Sequence, residues 1–234
     1  MQKITIAIDG FSSTGKSTVA KQLAKHLGYV YVDTGAMYRA VTLYAMQNGL
    51  IDADSFKVET LVDRLPEINI SFKFNAELGF AEVYLNGMNI EKDIRTLEVS
   101  SYVSKVAAIS EVRQKLVEQQ QKMGADKGVV MDGRDIGTVV FPDAELKLFM
   151  TATAETRAQR RFKELIERGD KVEYEDVLKN VKERDYIDSN REDSPLVKAG
   201  DAIEIDNSDL TLEEQFEKIL QLVKSVIGNG NYNG

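Results

Sequence analysis

The chain has 234 residues and a formal net charge of −8, with 43% hydrophobic and 29% charged residues, a composition typical of a globular protein. The acidic balance argues against broad nucleic-acid binding, because the phosphate backbone dominates that affinity. The lack of cysteine and the single histidine exclude disulfides, thiolate metal sites and a histidine metal cluster.

The first predicted element is an apolar strand, Ile4–Ile8, that runs directly into the turn GFSSTGKS at Gly10–Ser17. The spacing Gly-x-x-x-x-Gly-Lys-Ser is typical of a P-loop, whose backbone N–H groups point at phosphate oxygens. Lys16 would reach the outer phosphates, and the Ser17 hydroxyl would bind Mg²⁺. The positive end of the helix that follows faces the same anion. The turn predicts a nucleoside triphosphate site formed by Gly10, Ser12, Ser13, Thr14, Gly15, Lys16, Ser17 and Thr18.

Four further apolar strands alternate with helical patterns along the chain. The strands are predicted at Tyr29–Val32, Val129–Met131, Leu146–Met150 and Ala202–Ile205. Helical patterns run from Asp33 to Gly49, over Thr96–Met123 with a candidate break near Ser110, over Thr153–Gly169 and Glu173–Asn190, and onward from a capping box at Thr211. The alternation predicts an α/β fold of the P-loop NTPase type, a three-layer fold with a five-stranded parallel sheet between helices.

One segment between the second and third strands does not follow this alternation of strands and helices. Apolar and polar side chains alternate over Ile68–Phe74, and turn residues then lead to a second apolar run at Val83–Leu85. We expect an antiparallel module at about residues 57–97, inserted into a core of residues 1–56 and 98–227. The module is either a decoration or a flap over the substrate, and its position favours the flap. A short lid is expected at about residues 157–171 and a disordered tail at 228–234.

Two polar segments that follow predicted strands indicate a second anion site and a candidate metal ligand. Asp33–Arg39 offers a helix N-terminus with free N–H groups, and Asp132 ends the third strand, where a carboxylate can hold Mg²⁺ or its water. Ligands of such sheets bind at the carboxyl ends of the strands, so both segments should face the P-loop. An acidic protein with clustered arginines suits a small, highly anionic substrate. The arginines are Arg39, Arg113, Arg134, Arg157, Arg160, Arg161, Arg184 and Arg191.

These segments together resemble the nucleoside monophosphate kinases, most closely the bacterial cytidylate kinases. Asp33–Arg39 (DTGAMYR) looks like the monophosphate-binding segment of that family, and Asp132–Asp143 (DGRDIGTVVFPD) looks like its most specific motif. Lys182–Arg191 (KERDYIDSNR) looks like its late substrate-binding segment. The inserted module is similar to the extra insert of the bacterial enzymes. The motifs occur in family order over essentially the whole chain except the tail.

The resemblance implies a kinase that transfers the γ-phosphate of ATP, with Mg²⁺, to CMP and dCMP. Thr34 stands where many relatives have serine and keeps the hydroxyl. The CMP phosphate would be held by Arg39, Arg134 and Arg191, the cytosine read by Ser104, Arg113 and Asp135, and the sugar contacted by Arg184 and Asp188. Arg157, Arg160 and Arg161 would close over the transferring phosphate. The expected catalytic residues are Lys16, Asp132, Arg134, Arg157 and Arg161, with Ser17 and Asp132 at the metal.

Two alternatives stay open from the sequence. One is a P-loop kinase of another small acceptor, such as UMP, AMP or shikimate. Asp135 and Arg113 argue against it, because a carboxylate accepts from the cytosine amino group while an arginine donates to the ring acceptors. The other is a non-enzymatic ATP-binding switch, which has no need of a second anion site. No stretch approaches the roughly 20 apolar residues of a membrane span, so we expect a cytoplasmic monomer that binds neither membranes nor nucleic acid.

Overall fold

The computed structural model describes residues 3–229 and places a five-stranded parallel sheet at the centre of the protein. The strands are β1 (Thr5–Gly10), β2 (Val30–Asp33), β6 (Val129–Gly133), β7 (Leu146–Thr151) and β8 (Ile203–Asp206). Their order in the sheet is β2-β6-β1-β7-β8, and each neighbouring pair is parallel. The predicted five-stranded parallel sheet is confirmed, and β1 lies in its middle.

Within residues 3–229, eight α-helices surround this sheet and the inserted module. They are α1 (Lys16–Leu27), α2 (Thr34–Gln47), α3 (Val58–Asp63), α4 (Leu97–Ala107), α5 (Ser110–Met123), α6 (Ala154–Glu167), α7 (Tyr174–Asn190) and α8 (Leu212–Asn229). Ile6 and Ile8 of β1 pack with the apolar faces of α1 and α8. Ala7 belongs to a second cluster with Val117 and Met123 of α5. Because neighbouring side chains of a strand point to opposite faces, helices cover both sides of the sheet.

The inserted module is a three-stranded antiparallel sheet made of β3 (Ile70–Asn75), β4 (Phe80–Leu85) and β5 (Met88–Asn89). Its inward side chains, among them Val83 and Leu85, join the same buried cluster as Leu43 of α2 and Val103 of α4. The module therefore shares its core with the helices beneath it. The helical stretch before β6 breaks into α4 and α5 at the position expected from the sequence.

The ends of the chain differ slightly from the sequence expectation. Helix α8 begins after Thr211, whose hydroxyl and backbone N–H exchange hydrogen bonds with Glu214 as a capping box does. The helix continues to Asn229, so two residues of the expected tail are helical. The other residues of that tail, 230–234, lie outside the described part of the chain. Between residues 3 and 229, no helix combines the length and the apolar content needed to cross a membrane.

Candidate functional site

A cavity of about 530 Å³ opens where the strands of the central sheet end. The P-loop enters it from β1, Asp33 and Thr34 from β2, and Asp132–Asp135 from β6. The structure brings every site residue predicted from the sequence to the wall of this cavity except Gly10 and Arg157. Arginines dominate its polar wall, namely Arg39, Arg95, Arg113, Arg134, Arg160, Arg161, Arg168, Arg184 and Arg191. The cavity suits a ligand with several negative charges.

Each of the two glycines of the P-loop motif is required for a different structural reason. Gly10 has φ of +144°, and a Cβ there would lie 2.0 Å from the carbonyl oxygen of Met150 on β7. Gly15, with φ of +82°, forms the N-cap of α1 in the left-handed region that glycine favours. Gly10 thus lets the chain leave β1 against β7, while Gly15 turns the loop into the helix. This geometry aims the free N–H groups at the start of α1 into the cavity.

Lys16 is buried beneath the P-loop. Its Nζ donates to the carbonyl oxygen of Phe11 at 2.5 Å and to Thr14 Oγ1 at 3.4 Å. Burial, and next to it the charge of Arg134, lower the pKa of Lys16 well below its ordinary value. A phosphate group bound in the cavity would raise the pKa of Lys16 again, because an adjacent anion favours the charged ammonium.

Oxygen donors meet at the end of β6. Ser17 Oγ donates to one carboxylate oxygen of Asp132 at 2.9 Å, and Tyr31 Oη donates to the other at 2.9 Å. Burial, and then the nearby Asp33, raise the pKa of Asp132. Within residues 3–229 no three His, Cys, Asp or Glu side chains are arranged to hold a metal unaided. A hydroxyl and a carboxylate nevertheless fit Mg²⁺, which commonly takes one or two carboxylates and completes its shell with water and substrate phosphates.

The acceptor side contains a cluster of arginines whose positive charges lie close enough to repel one another. Burial and Arg95 lower the pKa of Arg39 to about 10, and burial and Arg134 lower the pKa of Arg184 to about 9. The Nε atoms of Arg39 and Arg184 are buried and have no hydrogen-bond partner among the described residues. An anion bound between these side chains would supply both the missing acceptor and the missing negative charge.

The residues expected to read the base also converge. Arg113 is paired with Asp135, and the side chains of the two are only 2% and 4% exposed. Arg113 also donates to the carbonyl oxygen of Ala107 at 3.0 Å and lies 5.4 Å from the ring centroid of Tyr38. The hydroxyl of Ser104 is buried and free of hydrogen bonds within the described chain. This pocket therefore presents a carboxylate, a guanidinium and a hydroxyl to a polar ligand edge.

The late motif contributes a second ion pair to the same wall. Arg134 Nε donates to Asp188 Oδ2 at 2.9 Å. Burial alone would raise the pKa of Asp188, but Arg134 and Arg184 outweigh it and hold that pKa below its ordinary value. Arg191 donates from Nε and Nη2 to the carbonyl oxygen of Ser194, at 2.9 and 2.6 Å. The charged groups of this wall are thus held in place before any ligand arrives.

The three arginines of α6 have separate contacts although they share a helix face. Arg157, expected over the transferring phosphate, lies outside the cavity and is 3% exposed. Its guanidinium binds Asp185 of α7 at 2.8 and 2.5 Å and lies 5.1 Å from the Phe11 ring centroid. Arg161 donates to the carbonyl oxygen of Arg95 at 2.7 Å. Arg160 binds Asn207. Arg160 and Arg161 line the cavity, and Arg157 supports the P-loop from outside it.

Comparison with known proteins agrees with the residues in this cavity. The family model described as cytidylate kinase matches residues 6–225. The chain is 73% identical to the cytidylate kinase of Flavobacterium johnsoniae, covering 97% of this chain and 99% of that one. It is 58% identical to the cytidylate kinase of Parabacteroides distasonis, over 98% of this chain and all of the relative. The chain belongs to the cytidylate kinase family. The sequence resemblance is thereby confirmed, and with it a kinase of the nucleoside monophosphate kinase type.

Several residues of this cytidylate kinase cavity were missed by sequence reasoning. Arg95 joins the inserted module to the core, since its guanidinium contacts Asp33 at 2.9 Å and Glu91 at 2.8 Å. Lys21, Glu91, Arg95 and Arg168 line the cavity, and Tyr31 holds Asp132. These residues lie outside the motifs, so no spacing in the sequence marks them. Only the folded position of the inserted module brings Glu91 and Arg95 to the site.

Asp9, near the end of β1, is hydrogen-bonded to the turn that follows β6. Its carboxylate accepts from the backbone N–H groups of Ile136 at 2.8 Å and Gly137 at 2.7 Å, in the turn that carries Asp135. Burial raises the pKa of Asp9 to about 7, and the two N–H groups offset only part of that shift. The folded protein therefore keeps a proton on Asp9 at pH values where the unfolded chain has lost it.

Asp9 should make the stability depend on pH. Its contribution to the free energy of unfolding is fully present below the ordinary aspartate pKa and is lost as pH rises towards 7, by up to about 1.4 kcal/mol per pH unit. Asp9→Asn removes this contribution. Urea unfolding of both proteins at pH 5, 6, 7 and 8 measures the difference between their slopes. Identical slopes in the two proteins would contradict the raised pKa of Asp9.

Proposed function

We propose that this chain transfers the γ-phosphate of ATP to CMP and dCMP, giving ADP and the corresponding diphosphate. The observation that carries the proposal is that one cavity joins a P-loop to an arginine-rich wall and to the buried Arg113–Asp135 pair. Phosphoryl transfer requires a donor and an acceptor held in line, with positive charge around the transferring group. The P-loop and the arginine-rich wall would each hold an anion, and the Arg113–Asp135 pair would select the base. Family membership disfavours the alternatives of another acceptor or a non-enzymatic switch.

The donor side is assigned to the P-loop and its surroundings. Backbone N–H groups from Ser12 to Thr18 would surround the ATP phosphates, and Lys16 would leave the Phe11 carbonyl to contact the transferring group. Ser17 and Asp132 would hold Mg²⁺, which when bound neutralises developing charge between the phosphates. Arg161, which lines the cavity, would face the transferring phosphate, and Arg157, which donates to the carbonyl oxygen of Ser12, would act only by supporting the loop.

The acceptor side is assigned to the opposite wall. Arg39, Arg134 and Arg191 would hold the CMP phosphate, and Arg184 and Asp188 the sugar. Thr34, whose hydroxyl donates to the Asp132 carbonyl at 2.8 Å, would fix the start of α2 beside the acceptor. Ser104, Arg113 and Asp135 would read the cytosine edge. No general base is required, because the acceptor phosphate is itself an anionic nucleophile.

The experiment that tests this proposal measures ADP release with ATP, Mg²⁺ and one acceptor at a time. CMP and dCMP should stimulate release strongly, while UMP, AMP, GMP and shikimate should not. Stimulation by another acceptor would refute the base-reading assignment, and no stimulation by any acceptor would refute the kinase. We also propose that the protein is a monomer and works in the cytoplasm, where its nucleotide substrates are found.

We further propose that the module at about residues 57–97 is a flap and residues 157–171 a short lid. Glu91 and Arg95 line the cavity, and the Arg95 carbonyl accepts from Arg161 and Arg168 at 2.7 Å each, so the two segments already touch across the opening. Closure would exclude water that could hydrolyse ATP. Limited proteolysis at these two segments should slow when CMP and a non-hydrolysable ATP analogue are both present. Unchanged cleavage rates would contradict closure.

A further inference from the structure

Asn207 is a buried polar residue that follows β8 and lies behind the P-loop. It is 1% exposed, and its backbone N–H donates to the carbonyl oxygen of Thr151 on β7 at 3.0 Å. Its side-chain Nδ2 donates to the carbonyl oxygen of Thr14 in the P-loop at 2.6 Å and also to Gln215 Oε1 at the start of α8. A Cβ added at Gly15 would lie 3.9 Å from this Nδ2, so the amide packs directly under the turn into α1.

The side-chain and backbone carbonyl oxygens of Asn207 both accept hydrogen bonds from Arg160. The Nη1 of Arg160 donates to Asn207 Oδ1 at 3.0 Å, and its Nη2 donates to the backbone carbonyl oxygen of Asn207 at 2.7 Å. The orientation of the amide follows from its partners, because a guanidinium only donates and the Thr14 carbonyl only accepts. Asn207 thus joins the P-loop backbone to an arginine of the cavity wall.

We propose that Asn207 is a positioning residue that fixes the P-loop and Arg160 in one arrangement for the donor nucleotide. The proposal rests on the assignment of the P-loop as the ATP site. Asn207 does not line the cavity, so it acts through Thr14 and Arg160, both of which do. Its other hydrogen bonds within residues 3–229 are with Gln215, Thr151 and Leu210, and none joins it to Arg39, Arg113, Asp135 or Arg191. Its effect should therefore be confined to the donor side.

An alanine at this position removes the amide, so the Thr14 carbonyl loses its donor and Arg160 keeps only its hydrogen bond to the backbone carbonyl of residue 207. Loss of a buried hydrogen bond to a group that positions a ligand costs about tenfold in affinity. Asn207→Ala should raise the Kd of a non-hydrolysable ATP analogue, and the KM for ATP, about tenfold. The Kd for CMP should stay within about twofold of the unaltered protein. Calorimetric titration of each ligand separately measures both constants.

A second variant separates the two contacts. Asn207→Asp keeps oxygen acceptors for Arg160 but cannot donate to the Thr14 carbonyl. If the contact with the P-loop is what matters, this variant should also raise the Kd of the ATP analogue about tenfold. It likewise serves as the test if the alanine variant fails to fold. The control is Asn48→Ala, which loses an amide-to-carbonyl hydrogen bond to Tyr44 at the end of α2. Neither residue lines the cavity, so both constants should stay unchanged.

An unchanged Kd for the ATP analogue in the folded variants would overturn the proposal. An equal rise in the Kd values of both nucleotides would also overturn it, because that is the result of a general loss of structure. The titration with the ATP analogue does not depend on the acceptor, so it still tests the role of Asn207 if CMP proves not to be the substrate. Failure of the unaltered protein to bind CMP would instead count against the proposed function.

Discussion

Asp135→Asn should lower the preference for CMP over UMP by about 100-fold in kcat/KM. The carboxylate of Asp135 is buried and can only accept hydrogen bonds, which suits the exocyclic amino group of cytosine and opposes the carbonyl of uracil. A site built to pair one polar group rejects the analogue that lacks it by large factors, because the buried partner is left unpaired. An asparagine amide can present either its oxygen or its nitrogen, so it accommodates both bases. Steady-state assays with CMP and UMP measure the ratio.

The asparagine is chosen because it preserves the shape of the side chain beside Arg113. Asparagine and alanine both remove the negative charge that faces Arg113, but only asparagine keeps an oxygen that accepts a hydrogen bond from the buried guanidinium, so it should disturb the fold less. Asp201→Asn is a suitable control, since that carboxylate is 65% exposed and pairs with Lys147 outside the cavity. A retained preference in a folded Asp135→Asn protein would show that other groups select the base.

Lys16→Met should lower kcat by about 1,000-fold while the protein stays folded. Lys16 is the only lysine in the P-loop, and its Nζ has two oxygen partners there, the Phe11 carbonyl and the Thr14 hydroxyl. A positioned cation that stabilises charge only as the phosphoryl group transfers contributes about 10² to 10³ in kcat, and charged groups in phosphoryl transfer reach higher values. Methionine is of similar length to lysine and is neutral, and burial disfavours a charge at this position. Single-turnover assays isolate the chemical step.

Thermal unfolding should place the midpoint of the Lys16→Met variant at or above that of the unaltered protein. Lys127→Met is the control, because that side chain is 50% exposed and paired with Glu145, and it is absent from the cavity. A Lys16→Met protein that keeps more than a tenth of the original kcat would remove Lys16 from the catalytic residues.

The fold followed from the sequence because its signals are local. The P-loop spacing, the apolar strands and the alternation of strand and helix each depend on neighbouring residues, and parallel strands then gather at one edge the polar residues that follow them. Thr34, Asp132 and Asp135 come together for that reason alone. The sequence also indicated a break near Ser110, where α5 begins, and the period-2 alternation over Ile68–Phe74 predicted the antiparallel pairing of β3 with β4.

The contacts between elements did not follow from the sequence. Periodicity places Arg157, Arg160 and Arg161 on one face of α6. It does not reveal that Arg157 pairs with Asp185 of α7, or that Arg160 binds Asn207 after β8. Arg95 is another example, because its approach to Asp33 is a contact between residues 62 positions apart that packing of the inserted module creates. Such pairs depend on tertiary geometry, which neither spacing nor composition encodes locally.

The central claim is that one cavity holds the donor and the acceptor phosphates facing each other. Binding of a bisubstrate ligand, adenosine and cytidine joined through five phosphates, tests it most directly by calorimetric titration with ATP and CMP as competitors. The ligand should bind one to one, at least about 100-fold more tightly than either nucleotide because the second half binds intramolecularly, and both ATP and CMP should displace it. Displacement by ATP alone, with an affinity no better than that of ATP, would contradict a shared cavity.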